Sequence, residues 1–217
     1  MLGNTEPQNA LNAFKQVFDG KNRSIGLSTT LVTKADEVKR VTERQEITQS
    51  KLVMGFRTPY AEPYTDVAVV KLMCAVLGGT PSSKLFMNVR EKMSLCYYCA
   101  ARYNPNKGII IIDSGVENAN IEKTETAILD QLKSMQAGDI TDEEIDAAKL
   151  ALKNAYITSL DSLASIENFY LSQTFNRETL TPEESAEKIM AVTKEQIIEA
   201  AKAVSLDTIY VLTSNEQ

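Results

Sequence analysis

The chain has no histidine and no tryptophan in 217 residues. The missing imidazole excludes two large groups of hydrolases. A zinc hydrolase takes neutral imidazoles among its metal ligands, and a serine or cysteine hydrolase of the usual kind needs an imidazole base. Carboxylate, Lys or Tyr chemistry is left. Cysteine is scarce too: Cys74, Cys96 and Cys99 make an odd set, which builds no disulfide framework and fits a reducing compartment. No apolar run approaches the roughly 18 residues of a membrane span. Basic charge is also short, with 23 Lys and Arg against 29 Asp and Glu, a net charge of −6. No basic stripe can displace counterions from a phosphate backbone, so nucleic acid is excluded as a partner.

What is present is the balance of a soluble globular protein, 43% hydrophobic and 24% charged, long enough for one large domain or two small ones. Residues 82–103 organise the rest. Leu85, Phe86, Val89 and Met93 share one apolar helical face, and Ser82 or Ser83 is placed to cap its first turn. From Leu95 the pattern turns to strand formers, so the spacing predicts a helix feeding directly into a strand. Arg90 and Tyr97 sit across that junction. Taken as packing, Arg90 covers core with its stem while its head reaches water, and Tyr97 is a half-buried core tyrosine.

Before this stretch, Leu11, Phe14, Val17 and Phe18 predict a short amphipathic helix stopped at Gly20. Residues 21–44 read as a polar linker with one short extended piece. Residues 45–57 read as a strand, closed by a turn at Pro59 and Pro63, and residues 65–77 as a helix apolar nearly all round. Gly78, Gly79 and Pro81 break that helix. After residue 103, a turn leads into the run Ile109 to Ile112, expected to be a strand covered on both faces.

Residues 120–136 form an amphipathic helix stopped by Gly138. Thr141 with Glu144, Thr181 with Glu184 and Thr193 with Gln196 then mark three helix starts by the capping-box spacing. A last strand covers residues 206–213. Strands and helices do not alternate strictly, which indicates an α+β fold: a largely antiparallel sheet with helices packed on one face. The final IYVLTSNE echoes the opening MLGNTEP, also followed by a helix. Residues 1–20 are therefore expected to be the tail of a preceding, similar domain.

Other candidates are weaker. Cys96 and Cys99, three apart on a strand, point to opposite faces unless a bulge or turn intervenes, and no second pair completes a metal site. Asp142, Glu143, Glu144 and Asp146 suit a helix start, where the macrodipole favours carboxylates. The 78–84 loop lacks the spacing of a phosphate loop. Asp113, at the end of the isoleucine run, reads as structural.

Taken together, Gly78-Gly79, Ser82-Ser83-Lys84-Leu85-Phe86, Asn88-Val89, Arg90-Glu91-Lys92 and Leu95-Cys96-Tyr97, in that order and followed by the Gly108 strand, resemble the pitrilysin/insulinase-type zinc metallopeptidase family. That family includes the mitochondrial processing peptidases. The resemblance covers roughly residues 45–217 and identifies them with the C-terminal, non-metal α+β domain. It implies a protein of two halves closing around an extended peptide, with zinc held in the other half by an inverted His-x-x-Glu-His motif. This half would hold no metal and no catalytic residue of its own. It would supply an Arg and a Tyr, here Arg90 and Tyr97, to the peptide cleft. Ser94 and Cys96 stand where zinc-active relatives have Gly and a small residue, which points to bacterial members that lack the zinc motif and work beside a zinc-bearing paralogue.

The function expected on this basis is the non-catalytic, substrate-clamping half of a metallopeptidase or peptidase-like protein. Its partner would be the N-terminal half of the same protein or a second subunit in a dimer, in the bacterial cytoplasm. The alternative is an assembly subunit that keeps the peptidase fold without proteolysis.

Overall fold

A computed structural model of the chain describes residues 4–19, 31–174, 176 and 178–215. The expected strand end at residues 1–3, the Gly20 stop and the first part of the expected linker, residues 21–30, lie outside these residues. The rest forms an α+β layer. Strands β1 (Lys39–Gln45), β2 (Ser50–Arg57), β3 (Cys96–Asn104), β4 (Ile109–Val116) and β5 (Ser205–Ser214) build one sheet in the order β1-β5-β2-β4-β3. Only β1 against β5 is parallel; the other pairings are antiparallel. The largely antiparallel α+β reading therefore stands.

The core lies between one face of this sheet and the helices. Leu52, Met54 and Phe56 of β2, Ile110 and Ile112 of β4, and Ile209 and Val211 of β5 are all buried. Helices α2 (Ala68–Cys74), α3 (Ile121–Gln136), α4 (Asp142–Thr158), α6 (Pro182–Ala191) and α7 (Lys194–Lys202) add Val70, Leu72, Ile128, Leu132, Ala148, Ile189 and Ile197. Two further helices, α1 (Pro7–Phe18) and α5 (Leu163–Ser172), bury no residue fully. Among the described residues, no helix is long and apolar enough to cross a membrane.

The three capping boxes form as the spacing predicts. The side-chain oxygens of Thr141, Thr181 and Thr193 accept from the backbone N–H groups of Glu144, Glu184 and Gln196, whose side chains accept in return. Gly138, at φ +86, follows α3 as expected.

Five expectations need correction. Ile109 to Ile112 is not covered on both faces, because the helices lie on one side only: Ile110 and Ile112 are buried while Ile111 is 43% exposed. The strand expected from residue 45 starts at Ser50. The extended piece before it is a complete edge strand, β1, whose seven residues are all exposed. It is held by its backbone pairing to β5, so it carries no hydrophobic period to read.

The organising helix is also wound differently. Leu85–Lys92 is a π-helix, preceded by a π-wound continuation of α2 at Ala75–Gly79. The wider winding brings the Met93 N–H to the Asn88 carbonyl at 2.9 Å and leaves Met93 48% exposed rather than on the buried stripe. Finally, neither serine caps this helix. The Ser82 hydroxyl pairs with the Thr80 hydroxyl at 3.2 Å, and the buried Ser83 hydroxyl makes no hydrogen bond to the helix.

Candidate functional site

The π-helix is seated by contacts from three directions. Gly78 brings the preceding turn so close to β3 that a Cβ there would lie 2.7 Å from Leu85 Cδ1 and 2.8 Å from the Ala101 nitrogen. Lys84, 5% exposed, pairs with Glu144 of α4 at 3.1 Å, and Asn88 donates to Gln131 of α3 at 2.6 Å. Leu85 and Val89 are fully buried beneath. The acidic run at the start of α4 is thus explained by capping and by Lys84, as a helix start rather than a cation site. Among the described residues, no group of three or more His, Cys, Asp and Glu side chains could hold a metal ion.

With the helix fixed, Arg90 projects from its last turn. Its guanidinium carbon lies 4.5 Å from the centre of the Phe86 ring, a cation–π contact one turn back, and its Nη1 lies 3.5 Å from the Glu91 carboxylate. The chain then reverses through Ser94, whose φ of 51 is left-handed. That conformation suits glycine better than a residue with a Cβ.

Tyr97 owes its position to a β-bulge. Cys96 pairs with Val116 and Tyr98 with Gly115, so Tyr97 is the extra residue with no opposite number on β4. The bulge turns Tyr97 outward to 58% exposure, and its hydroxyl reaches Glu117 Oε1 at 3.3 Å. The expected half-buried packing role is therefore wrong for Tyr97. The next residue, Tyr98, is 36% exposed and lies over Gly115, where a Cβ would be 2.5 Å from its Cε1.

Arg90 and Tyr97 line one open pocket of about 390 Å³, together with Glu91, Cys96, Glu117 and Asn120. Glu117 and Asn120 were not legible as site residues, because what places them is the end of β4 lying beside the bulge. A larger pocket of about 840 Å³, between α2, α5 and the far end of β3, contains neither Arg90 nor Tyr97.

The bulge also changes the cysteines. Cys96 lies opposite Val116 and Cys99 opposite Ser114, two residues apart on β4, so both thiols share the helix-facing side rather than opposite sides. The Cys96 thiol is held down to about 7, first by hydrogen bonding from Cys99 and then, against burial, by Ser114 and the Arg90 charge. Cys99 is pushed far up, by its hydrogen bond to Cys96 and by burial. Asp113, read as structural, accepts from Arg102 Nη1 at 3.0 Å.

The one-sided α+β layer is the fold of the C-terminal domains of M16-type peptidases. The chain belongs to the peptidase M16 inactive domain family, whose model matches residues 1–152. It is 31% identical to the "Probable inactive metalloprotease YmfF" of Bacillus subtilis (strain 168), over 100% of this chain and 51% of that protein. It is 26% identical to the mitochondrial-processing peptidase subunit alpha-2 of Dictyostelium discoideum, over 72% of this chain and 37% of that protein. A crystal structure of a conserved protein from Enterococcus faecalis V583 superimposes with a TM-score of 0.85 at 30% identity, covering 98% of this chain and 51% of that one. The chain thus spans about half the length of the B. subtilis and E. faecalis proteins.

Proposed function

We propose that this chain is the metal-free half of a two-part peptidase-like protein, and that its Arg90–Tyr97 pocket grips the backbone of an extended peptide. The observation that carries the reading is the convergence of the two side chains, one from the π-helix and one from the bulge, on a single open pocket. Arg90 offers donors to peptide carbonyls. Tyr97 offers a hydroxyl whose present bond to Glu117, at 3.3 Å, is longer than a strong O–H···O contact and is easily exchanged for a peptide carbonyl.

No zinc step is assigned to this chain. It has no imidazole, and the described residues offer no ligand cluster. Any zinc belongs to the other half or to a partner subunit. In this reading α1 is the tail of the preceding domain, which accounts for its apolar Leu11, Phe14, Val17 and Phe18 all being about half exposed or more, at 48%, 64%, 56% and 51%. A cytoplasmic location belongs to the same reading, supported by the three free thiols and the bacterial relative.

The test uses the chain joined to its N-terminal half. Tyr97→Phe is expected to lower kcat for peptide cleavage by about tenfold or more with the fold intact, since loss of one donor to a developing oxyanion typically removes about 3 kcal/mol. Unchanged turnover removes Tyr97 from that role.

A second reading, an assembly subunit without proteolysis, is favoured by one observation: the B. subtilis relative that spans this whole chain is itself named as inactive. An inverted zinc motif in the N-terminal half supports the peptidase. Its absence, with no peptide bound at about 1 mM, supports the assembly subunit.

A further inference from the structure

The bulge gives Cys96 and Cys99 a relation that a regular strand forbids. In an unbroken strand, residues three apart face opposite ways and lie about 10 Å apart along the chain. Here the extra residue, Tyr97, restores the phase, and both cysteines lie on the helix side of the sheet, opposite Val116 and Ser114. Both are free thiols in different settings. Cys99 is buried, whereas Cys96 is half-buried and forms part of the wall of the Arg90–Tyr97 pocket. One sulfur is therefore open to a small reagent, and the other waits behind it. The third thiol, Cys74, is buried in the core at the end of α2.

We propose that Cys96 and Cys99 form a reversible disulfide across the bulge, with Cys96 as the thiol that meets a hydroperoxide and Cys99 as the thiol that resolves it. In the first step the Cys96 thiolate attacks one peroxide oxygen. An S–O bond forms, the O–O bond breaks, and the second oxygen leaves as hydroxide or alkoxide, taking up a proton to give water or an alcohol. Cys96 is then a sulfenic acid. In the second step the Cys99 sulfur attacks the Cys96 sulfur. An S–S bond forms, the S–O bond breaks, and the departing hydroxide takes the Cys99 proton and leaves as water. Two thiols lose two electrons and the peroxide gains them.

The chemistry is favoured on both sides of the pair. The hydrogen bond from Cys99, and more weakly Ser114 and the Arg90 charge, support the Cys96 thiolate, which is lowered to about 7 and so substantially ionised near neutral pH. Cys99 stays protonated and unreactive until its neighbour is oxidised. The bridge would join the residues flanking Tyr97 and so fix the backbone from which that side chain projects. None of this depends on the peptide reading, because it rests on the register of β3 against β4 and on the two free thiols.

The experiment treats the reduced 217-residue chain with hydrogen peroxide, alkylates it in denaturant, and maps the thiols by mass spectrometry. Two of the three thiols are expected to escape alkylation, to map to Cys96 and Cys99 joined within one peptide, and to return after dithiothreitol. Cys96→Ser should leave Cys99 and Cys74 alkylated. Cys99→Ala should convert the bridge into a Cys96 sulfenic acid that dimedone captures. Three alkylated thiols in the wild-type chain, or a bridge made to Cys74 or to a second chain, would overturn the proposal. The deciding measurement is made on the unmutated protein, so a variant that fails to fold leaves it standing or fallen as before.

Discussion

Helices α4, α6 and α7 each begin at a threonine whose side chain closes a capping box, whereas the π-wound stretches Ala75–Gly79 and Leu85–Lys92 have no side-chain cap at all. The first three are specified by residues within four positions of one another. The second two are shaped by distant partners: Ala101 against Gly78, Glu144 against Lys84, Gln131 against Asn88. Locally specified helices make up much of the packing layer. The stretch that depends on its neighbours carries Arg90 and leads into Tyr97. A π-helix is uncommon, and it persists only where surrounding contacts hold it. Here those contacts aim an arginine at the sheet's bulged corner.

This contrast can be broken by substitution. The largest effect is expected at the seam. Gly78→Ala places a Cβ within 2.9 Å of three atoms of Leu85 and Ala101, and should lower stability by about 3 kcal/mol, read by urea unfolding. A loss below about 1 kcal/mol would mean that the π-wound stretch is not seated by that approach. Next come the caps. Thr141→Ala, Thr181→Ala and Thr193→Ala should each remove about 1 kcal/mol, and the triple variant close to their sum, because each box is closed by its own helix. Marked non-additivity would show that these helices also depend on their neighbours.

A smaller change has the opposite sign. Ser94→Gly relieves a left-handed residue at φ 51 and should gain about 0.5 kcal/mol, the strain released less the entropy glycine brings. The last effect is absent at neutral pH and appears only at alkaline pH. Burial raises the Cys74 thiol from 9.0 to about 12, and Cys74 immediately precedes the first π-wound stretch. In the unfolded chain this thiol ionises near its ordinary value while the folded one stays neutral. Its contribution is therefore complete below pH 9.0 and is lost progressively as pH rises toward about 12. Stability of Cys74→Ala should fall less steeply over that window, and parallel curves would rule out a neutral buried thiol.

How much of this was readable follows from the same division. The three threonine caps were legible because partner and cap are three residues apart. The turn of Arg90 toward Tyr97 was legible only through the order of motifs in the family resemblance, since hydrophobic spacing alone made both residues packing. The bulge was not legible: it is defined by which residues of β4 face Cys96 and Tyr98, and nothing within residues 96–99 states that register. Reading Cys96 and Cys99 by strict alternation put them on opposite faces for that reason. Strand β1 escaped because every one of its residues is exposed. Glu117 escaped because its role comes from Tyr97 across the bulge, 20 residues earlier in the chain.

Among the described residues, the strand order leaves β1 and β3 as the outer strands of the sheet, each paired on one side only. A five-stranded sheet with two bare flanks could recruit a second copy and grow. Neither flank invites this. The β1 sequence KRVTERQ carries charged side chains at four of its seven exposed positions, so a like strand beside it would bring those charges together. On β3 the extra residue breaks the row of free amides and carbonyls almost where it begins. The kink that turns Tyr97 outward therefore also limits the sheet, and straightening it would remove a barrier against self-association as well as moving a side chain.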